Sequence, residues 1–217
     1  MSEHIWLSTA LTQVEPDISV RSDMSENNVD LVIQADTLNM KGRPVTQNMC
    51  PKRIWAGAKF SQQDGEKFPS RTTVPDLFNA GGYVIVSSPV ANILRQFNLG
   101  EGALYPVTQG VFQDDNETRI EGEYFTWIFG NRRTAFLEQY SPKVEAMSSP
   151  SERDWCLINT WQADDDITVS SAALSGPDVW VDPILFKSIF LSGSLGDALV
   201  KGGLQKPLFL VRCRVIL

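Results

Sequence analysis

The stretch from Pro75 to Leu99, PDLFNAGGYVIVSSPVANILRQFNL, constrains the fold more than any other part of the chain. Tyr83-Val84-Ile85-Val86 is a short apolar run rich in β-branched residues beside glycine punctuation, which predicts a buried strand. Ahead of it, Pro75-Asp76 reads as the opening of a short helical turn carrying Leu77 and Phe78, broken by Gly81-Gly82. Behind it, Ser87-Ser88-Pro89 supplies an N-cap and a proline near the first helical position. Val90, Ile93, Leu94 and Phe97 then fall at helical spacing and give one apolar face.

The same pattern returns near the C-terminus. Ile189-Phe190-Leu191-Ser192-Gly193-Ser194-Leu195-Gly196, continuing to Leu204, falls on Val84 to Leu99 at an offset of 105 residues. The apolar triplets coincide, Ser192 falls on Ser87, Leu195 on Val90, Asp197 on Asn92 and Leu199 on Leu94. A duplicated unit and a convergent strand-to-helix corner both account for this, and neither names a chemistry.

The remaining chain places strands around these units. Glu123 to Phe129 predicts a strand with Phe125, Trp127 and Phe129 on one face, since side chains alternate with period two. Leu104 to Phe112 reads as its antiparallel neighbour, with a turn at Asp114-Asp115-Asn116-Glu117. Ser141 to Arg153 reads as a loop, and Trp155 to Trp161, Ile167 to Ser170 and Val179 to Val181 as strands. The closing run Leu208 to Leu217 predicts a strand with Val211, Cys213 and Val215 on one face and Arg212 and Arg214 on the other. Val29 to Ile33 and Ile54-Trp55 read as strands within a layer of strands and loops over residues 1–74, for which an independent lobe is the alternative. The expected class is α+β, a mixed or antiparallel sheet with short helices packed on it and two internally similar strand–helix units. Residues 75–217 form its main domain.

Length and composition then narrow the chemistry. A chain of 217 residues can bury a substantial core. Its net charge of −7 argues against direct nucleic-acid binding, which draws its affinity from neutralising phosphates, and permits a basic partner. The start, Met-Ser-Glu-His-Ile-Trp, lacks the basic and apolar regions of a secretory signal, and no run approaches the ~20 apolar residues that span a bilayer. A cytoplasmic protein without membrane contact is expected.

Motifs for catalysis are few. His4 is the one histidine, so neither a histidine-based triad nor a multi-histidine metal site is expected. Cys50, Cys156 and Cys213 form no CxxC pair and are expected to be reduced, packed thiols. Ser192, Gly193, Ser194 and Gly196 form a strand-to-helix corner of a kind that holds anions on backbone N–H groups. Ser194 acting as an N-cap explains the same corner without a ligand. Two acidic sets stand out: Asp114, Asp115, Glu117 and Glu121, and Asp164, Asp165 and Asp166. Without the spacing of a calcium loop they read as solvated surface, or as a face that meets a basic partner. Arg212 and Arg214 are expected to pair with these acids across the sheet, and Trp127 and Trp180 to be core.

Several of these stretches together resemble a known family. Pro75-Asp76-Leu77-Phe78, Gly81-Gly82-Tyr83, Val86-Ser87, Leu94 and Leu104-Tyr105-Pro106-Val107 carry part of the likeness. Gly176 to Pro183 (GPDVWVDP), the Phe190-Leu191-Ser192 corner and Arg212-Cys213-Arg214-Val215 carry the rest. In that order they resemble the immunity-protein-eleven family of bacterial polymorphic-toxin systems, over roughly Arg71 to the C-terminus.

The resemblance implies a non-enzymatic protein without cofactor or metal. It would bind and neutralise a cognate secreted toxin, a nuclease among the expected kinds, encoded by a neighbouring gene. The shared residues are of scaffold type and hand over no binding positions, so the two acidic sets stand as the expected interface on electrostatic grounds alone. Two other functions compete with this one: an adaptor or chaperone for a secreted effector, and a small-anion-binding enzyme that uses the Ser192–Gly196 corner.

Overall fold

A computed structural model describes residues 4–12, 20–56, 71–147, 155–158 and 162–216. In chain order its first elements are β1 (Ile5–Ser8), β2 (Val20–Ser22), α1 (Asp23–Asn27), α2 (Val29–Met40) and β3 (Arg53–Ala56). Next come β4 (Leu77–Ala80), β5 (Tyr83–Ser87), α3 (Ser88–Leu94), β6 (Ala103–Pro106), β7 (Gly110–Phe112), β8 (Arg119–Ile120) and β9 (Tyr124–Ile128). β10 (Val144–Ala146), β11 (Trp155–Leu157), β12 (Thr168–Ser170), β13 (Val179–Trp180), β14 (Ile189–Ser192), α4 (Gly193–Lys201) and β15 (Leu210–Ile216) complete the chain. The end of the expected loop 141–153 and residues 159–161 of the expected strand at Trp155 lie outside the described residues.

Short helices on mixed and antiparallel sheets make this an α+β fold. The segment ahead of Tyr83, expected to be a helical turn, is a strand. Gly81 and Gly82 both have positive φ (58° and 99°), as a two-residue hairpin turn of the primed type requires. They fold β4 back onto β5, with Leu77 opposite Val86 and Ala80 opposite Tyr83. Pairing along four residues thus overrides a weak local preference for helix.

The C-terminal echo extends far beyond the corner. β13 pairs with β14 as β4 does with β5: Val179 opposes Leu191 and Trp180 opposes Phe190, just as Leu77 opposes Val86 and Phe78 opposes Ile85. β5 has β9 on its other side, with Val86 opposite Phe125, and β14 has β1, with Leu191 opposite Trp6. β9 then pairs with β6, and β1 with β15. The two sheets therefore share one topology, β4-β5-β9-β6 and β13-β14-β1-β15, the second extended by a parallel β12. In the second unit the strand matching β9 comes from the opposite end of the chain.

Strands of residues 1–74 pair with strands from the rest of the chain. β1 is an inner strand of the C-terminal sheet, and β2 and β3 join β7 and β8 in an outer sheet. The expected strand at Val29–Ile33 is the first part of α2. Asn28 caps that helix by accepting from the Leu31 N–H at 3.4 Å, with Asp30 in the first turn. Val32, Ala35 and Asn39 are buried at helical spacing, while Val29 and Ile33 stay exposed. The expected strand at Leu104–Phe112 divides into β6 and β7, which enter different sheets.

Three apolar layers hold these parts together. The central one lies between the paired units and takes Val86, Val90 and Leu94 from one, and Leu191, Leu195 and Leu199 from the other. Phe125, Trp127 and Phe129 enter it from one face of β9, as their alternation predicts. Outside the first sheet, α2 and the β2-β3-β7-β8 sheet cover Phe78 and Ile85. Outside the second, Phe136, Ile167 and Val169 cover Trp180 and Phe190, whose rings stack 5.7 Å apart. Asn39 ties α2 to the first sheet, donating to the Trp127 carbonyl at 2.9 Å and accepting from the Phe129 N–H at 2.8 Å.

Candidate functional site

Each unit begins with a Pro-Asp dipeptide, and the aspartate locks the strand-to-helix corner. Asp76 accepts from the Ser87 hydroxyl on its carboxylate and from the Ser87 N–H on its carbonyl at 3.0 Å. Asp178 repeats both bonds with Ser192, the second at 2.9 Å. Ser192 is the N-cap of α4, accepting from the Leu195 N–H at 3.3 Å; Ser194, read as the cap from sequence, lies in the first turn. The Asp178 carboxylate also accepts from the Asn98 N–H, so a negative group already stands at the positive end of α4.

The four residues of the predicted anion corner do not act together. Ser192, Gly193 and Ser194 line a cleft of about 370 Å³ with Arg133 and Asp178. Gly196 lies under the Trp6 ring, where a Cβ would come within 1.9 Å of the ring Cδ1. It is a packing glycine.

The acidic residues also separate. Asp114, Asp115, Glu117 and Glu121 lie on and after the β7–β8 turn of the outer sheet, with Asp115, Glu117 and Glu121 exposed. Asp115 closes that turn, accepting from the Thr118 hydroxyl and from the N–H groups of Glu117 and Thr118. Those bonds hold its carboxyl below the ordinary value. Asp164, Asp165 and Asp166 border the other sheet, where Asp164 accepts from the Arg212 N–H at 2.7 Å and Asp166 from the Ala163 N–H at 2.7 Å. The expected acid–arginine pairing is therefore made by the Arg212 backbone. The Arg212 guanidinium lies 5.1 Å from the centre of the Trp6 ring, and that of Arg214 donates to Thr168 Oγ1 and the Tyr140 carbonyl.

His4 is tied down: its Nε2 lies 2.9 Å from Asp197 Oδ1, which also accepts from Trp6 Nε1 at 3.0 Å. Burial would raise Asp197, but the bonds from His4 and Trp6 and the charges of His4 and Arg212 outweigh it, so the carboxyl sits below its ordinary value. Among the described residues no group of three or more histidine, cysteine, aspartate or glutamate side chains is placed to hold a metal ion. No helix among them is long and apolar enough to cross a membrane.

All three cysteines are unpaired. Cys50 and Cys213 are buried, and burial pushes the Cys50 thiol up to about 12 and the Cys213 thiol well up. Cys156 departs from the expected packed thiol, since it is only partly buried on the two-stranded β10–β11 sheet. Burial and Glu145 raise its pKa, so it has no activated thiolate. Access then decides reactivity. Iodoacetamide at pH 8 is expected to label Cys156 first in the native protein, and Cys50 and Cys213 only on unfolding, as read by peptide mass spectrometry. Equal native labelling of Cys213 would contradict the burial described.

The two units meet at Asn131, which follows β9. Its Nδ2 donates to the carbonyls of Leu99, Phe129 and Val179 at 2.7, 2.9 and 2.9 Å, and its Oδ1 accepts from the Glu101 N–H at 3.0 Å. A second cleft of about 310 Å³ opens beside it, lined by Gly42, Arg43, Glu101, Arg132, Arg133 and Trp180 among others. Arg133 is fixed here: it donates to the carbonyls of Ala173 and Pro177 and lies 4.0 Å over the Trp180 ring.

No family model, curated protein or solved structure matches this chain.

Sequence reasoning missed Asp76, Asp178, Asn131 and Arg133. A signal existed for the first two: Pro75-Asp76 precedes Ser87 as Pro177-Asp178 precedes Ser192, with three more residues in the second hairpin. Asn131 and Arg133 carry no such signal, because apart from the Phe129 carbonyl the hydrogen-bond partners of their side chains lie 30 or more residues away.

Proposed function

We propose that this chain is an immunity protein: it binds and neutralises a cognate secreted toxin encoded by a neighbouring gene, and acts in the cytoplasm of the producing cell. The resemblance to the immunity-protein-eleven family motivates the reading. One observation supports it above others. Many of the residues that carry the resemblance hold the frame, Asp76 with Ser87, Asp178 with Ser192, and the buried Trp180 and Cys213, while Pro75, Gly81, Pro106, Gly176, Arg212 and Arg214 among them are exposed. A sequence pattern of this kind specifies a scaffold and leaves exposed loops free to differ from one partner to the next.

The acidic turn between β7 and β8 is the proposed toxin-facing surface. Asp115 is engaged in closing it, while Glu117 and Glu121 are exposed and available to a basic partner. Co-expression with the product of the adjacent gene is expected to yield a complex on pull-down and to restore growth. Glu117→Lys/Glu121→Lys should weaken the complex at least tenfold, mainly through slower association at low salt. A toxin that stays active inside the complex would favour an adaptor, and absence of both binding and rescue would overturn the reading.

A further inference from the structure

The cleft beside Asn131 carries a chemistry that the proposed partner does not use. Three arginines line about 310 Å³ in a chain of net charge −7, and Glu101 is the one acidic residue among the lining. Arg133 is committed to Ala173, Pro177 and the Trp180 ring, which makes it a fixed positive wall. Arg43 and Arg132 are exposed side chains that line the same space and have no hydrogen-bond or ion-pair partner among the described residues.

The backbone is built to bring Arg43 there. Gly42 has φ +63°, and a Cβ on it would come within 2.3 Å of the Asn131 carbonyl oxygen, so its loop packs directly on the floor of the cleft. Trp180, fully buried and also part of the lining, has an indole N–H without an acceptor.

We propose that this cleft binds the phosphate group of a small molecule, gripped by Arg43 and Arg132 against the fixed guanidinium of Arg133. Among the described lining residues three guanidiniums stand against one carboxylate, with Asp178 acting on Arg133 from outside the lining. The cleft thus keeps a net positive charge, of the sign that a phosphate monoester, at about −2 near neutral pH, requires. Guanidinium forks bind phosphate oxygens through paired, charge-assisted hydrogen bonds. The volume lies at the low end of small-ligand pockets, roughly 300–1,000 Å³, so the cleft admits a phosphate with a small organic group attached.

Thermal unfolding of the full chain in inorganic phosphate, glucose 6-phosphate or AMP, against sodium chloride at matched ionic strength, tests this. A saturable rise in Tm is expected. Its midpoint should move at least tenfold higher in Arg43→Gln/Arg132→Gln and stay unchanged in Lys201→Gln/Lys206→Gln, which removes the same charge elsewhere. In the unmodified protein, phenylglyoxal labelling of Arg43 and Arg132 should slow in the presence of the same probes. Equal midpoints for all three probes would assign free phosphate as the ligand, and tighter binding of the esters a phosphomonoester.

No rise beyond sodium chloride together with unprotected arginines overturns the proposal. So does an unchanged midpoint in the arginine variant, or tighter binding of citrate than of any phosphate. None of these outcomes bears on toxin binding, which is read separately by pull-down and growth rescue.

Discussion

Gly196→Ala is expected to destabilise the protein by about 3 kcal/mol, a Tm drop of roughly 6–12 °C, although alanine is the better helix former by ~1 kcal/mol. The added methyl would lie 1.9 Å from Cδ1 and 2.3 Å from Cγ of the Trp6 ring. That ring cannot step aside. It is 3% exposed, its strand is paired on both sides, and its Nε1 is bonded to Asp197. The first unit shows the remedy. The offset of 105 residues puts Gly196 on Ala91, and strand register puts Trp6 on Phe125. One unit fits a large ring over glycine; the other has a smaller ring and an alanine at the matching positions. Trp6→Phe/Gly196→Ala copies the first unit's residues into the second and should recover at least half of the loss by chemical denaturation. If the two changes simply add, the rings do not occupy equivalent positions and the matched packing is refuted.

That equivalence marks what the sequence carries and what it hides. The apolar triplets and the serine corners were legible because they are local: Val84 to Val86 and Ile189 to Leu191 are buried on both faces and read as continuous apolar runs. The alternation of Phe125, Trp127 and Phe129 was legible for the same reason. β4 was misread because Gly81-Gly82 both breaks helices and makes hairpins, and only pairing with β5 decides between them. The α2 run, Val29 to Ile33, was short enough to suit either period, and its cap Asn28 is also a common turn residue. β1 is four residues long and its partners lie more than 180 positions away, so no window of sequence holds the information. The arginine cleft has the same origin. Its walls come from residues 42–43, 101, 130–133, 177 and 180, which become neighbours only once both units are folded.

Asn131 is where that long-range information concentrates, and its replacement should have the largest effect in the molecule. The residue is 8% exposed, and its side chain bonds to three carbonyls and one N–H and joins the loop after α3, β9 and β13. Leucine of similar volume would take their side-chain partner from the Phe129 and Val179 carbonyls and the Glu101 N–H, while the Leu99 carbonyl keeps the Gly102 N–H. At about 1–3 kcal/mol for each buried group left unpaired, Asn131→Leu is expected to lose about 3 kcal/mol or more. Asn131→Asp should be worse near neutral pH, about 4 kcal/mol or a Tm drop of roughly 8–16 °C, despite its near-identical shape. A carboxylate oxygen would then face the Leu99, Phe129 and Val179 carbonyls where a donor belongs. The sign of its pH dependence follows. With no donor toward those carbonyls, the new carboxyl has a folded-state pKa above its unfolded value of about 3.9, because only the protonated form can donate and burial opposes the charge. That effect is expected to exceed the opposite pull of the solvent-exposed guanidiniums of Arg43 and Arg132 and of Arg133 in the same cleft. Stability relative to wild type is thus lowest above the folded pKa and recovers in part as pH falls through it. It reaches its highest level, still short of wild type because a carboxyl has one donor in place of two, only below the unfolded value. Parallel denaturation curves of both proteins between pH 4 and 8 read this directly. A gap that stays constant over that range, or widens toward acid, would show that Asn131 does not serve as the donor joining the two units.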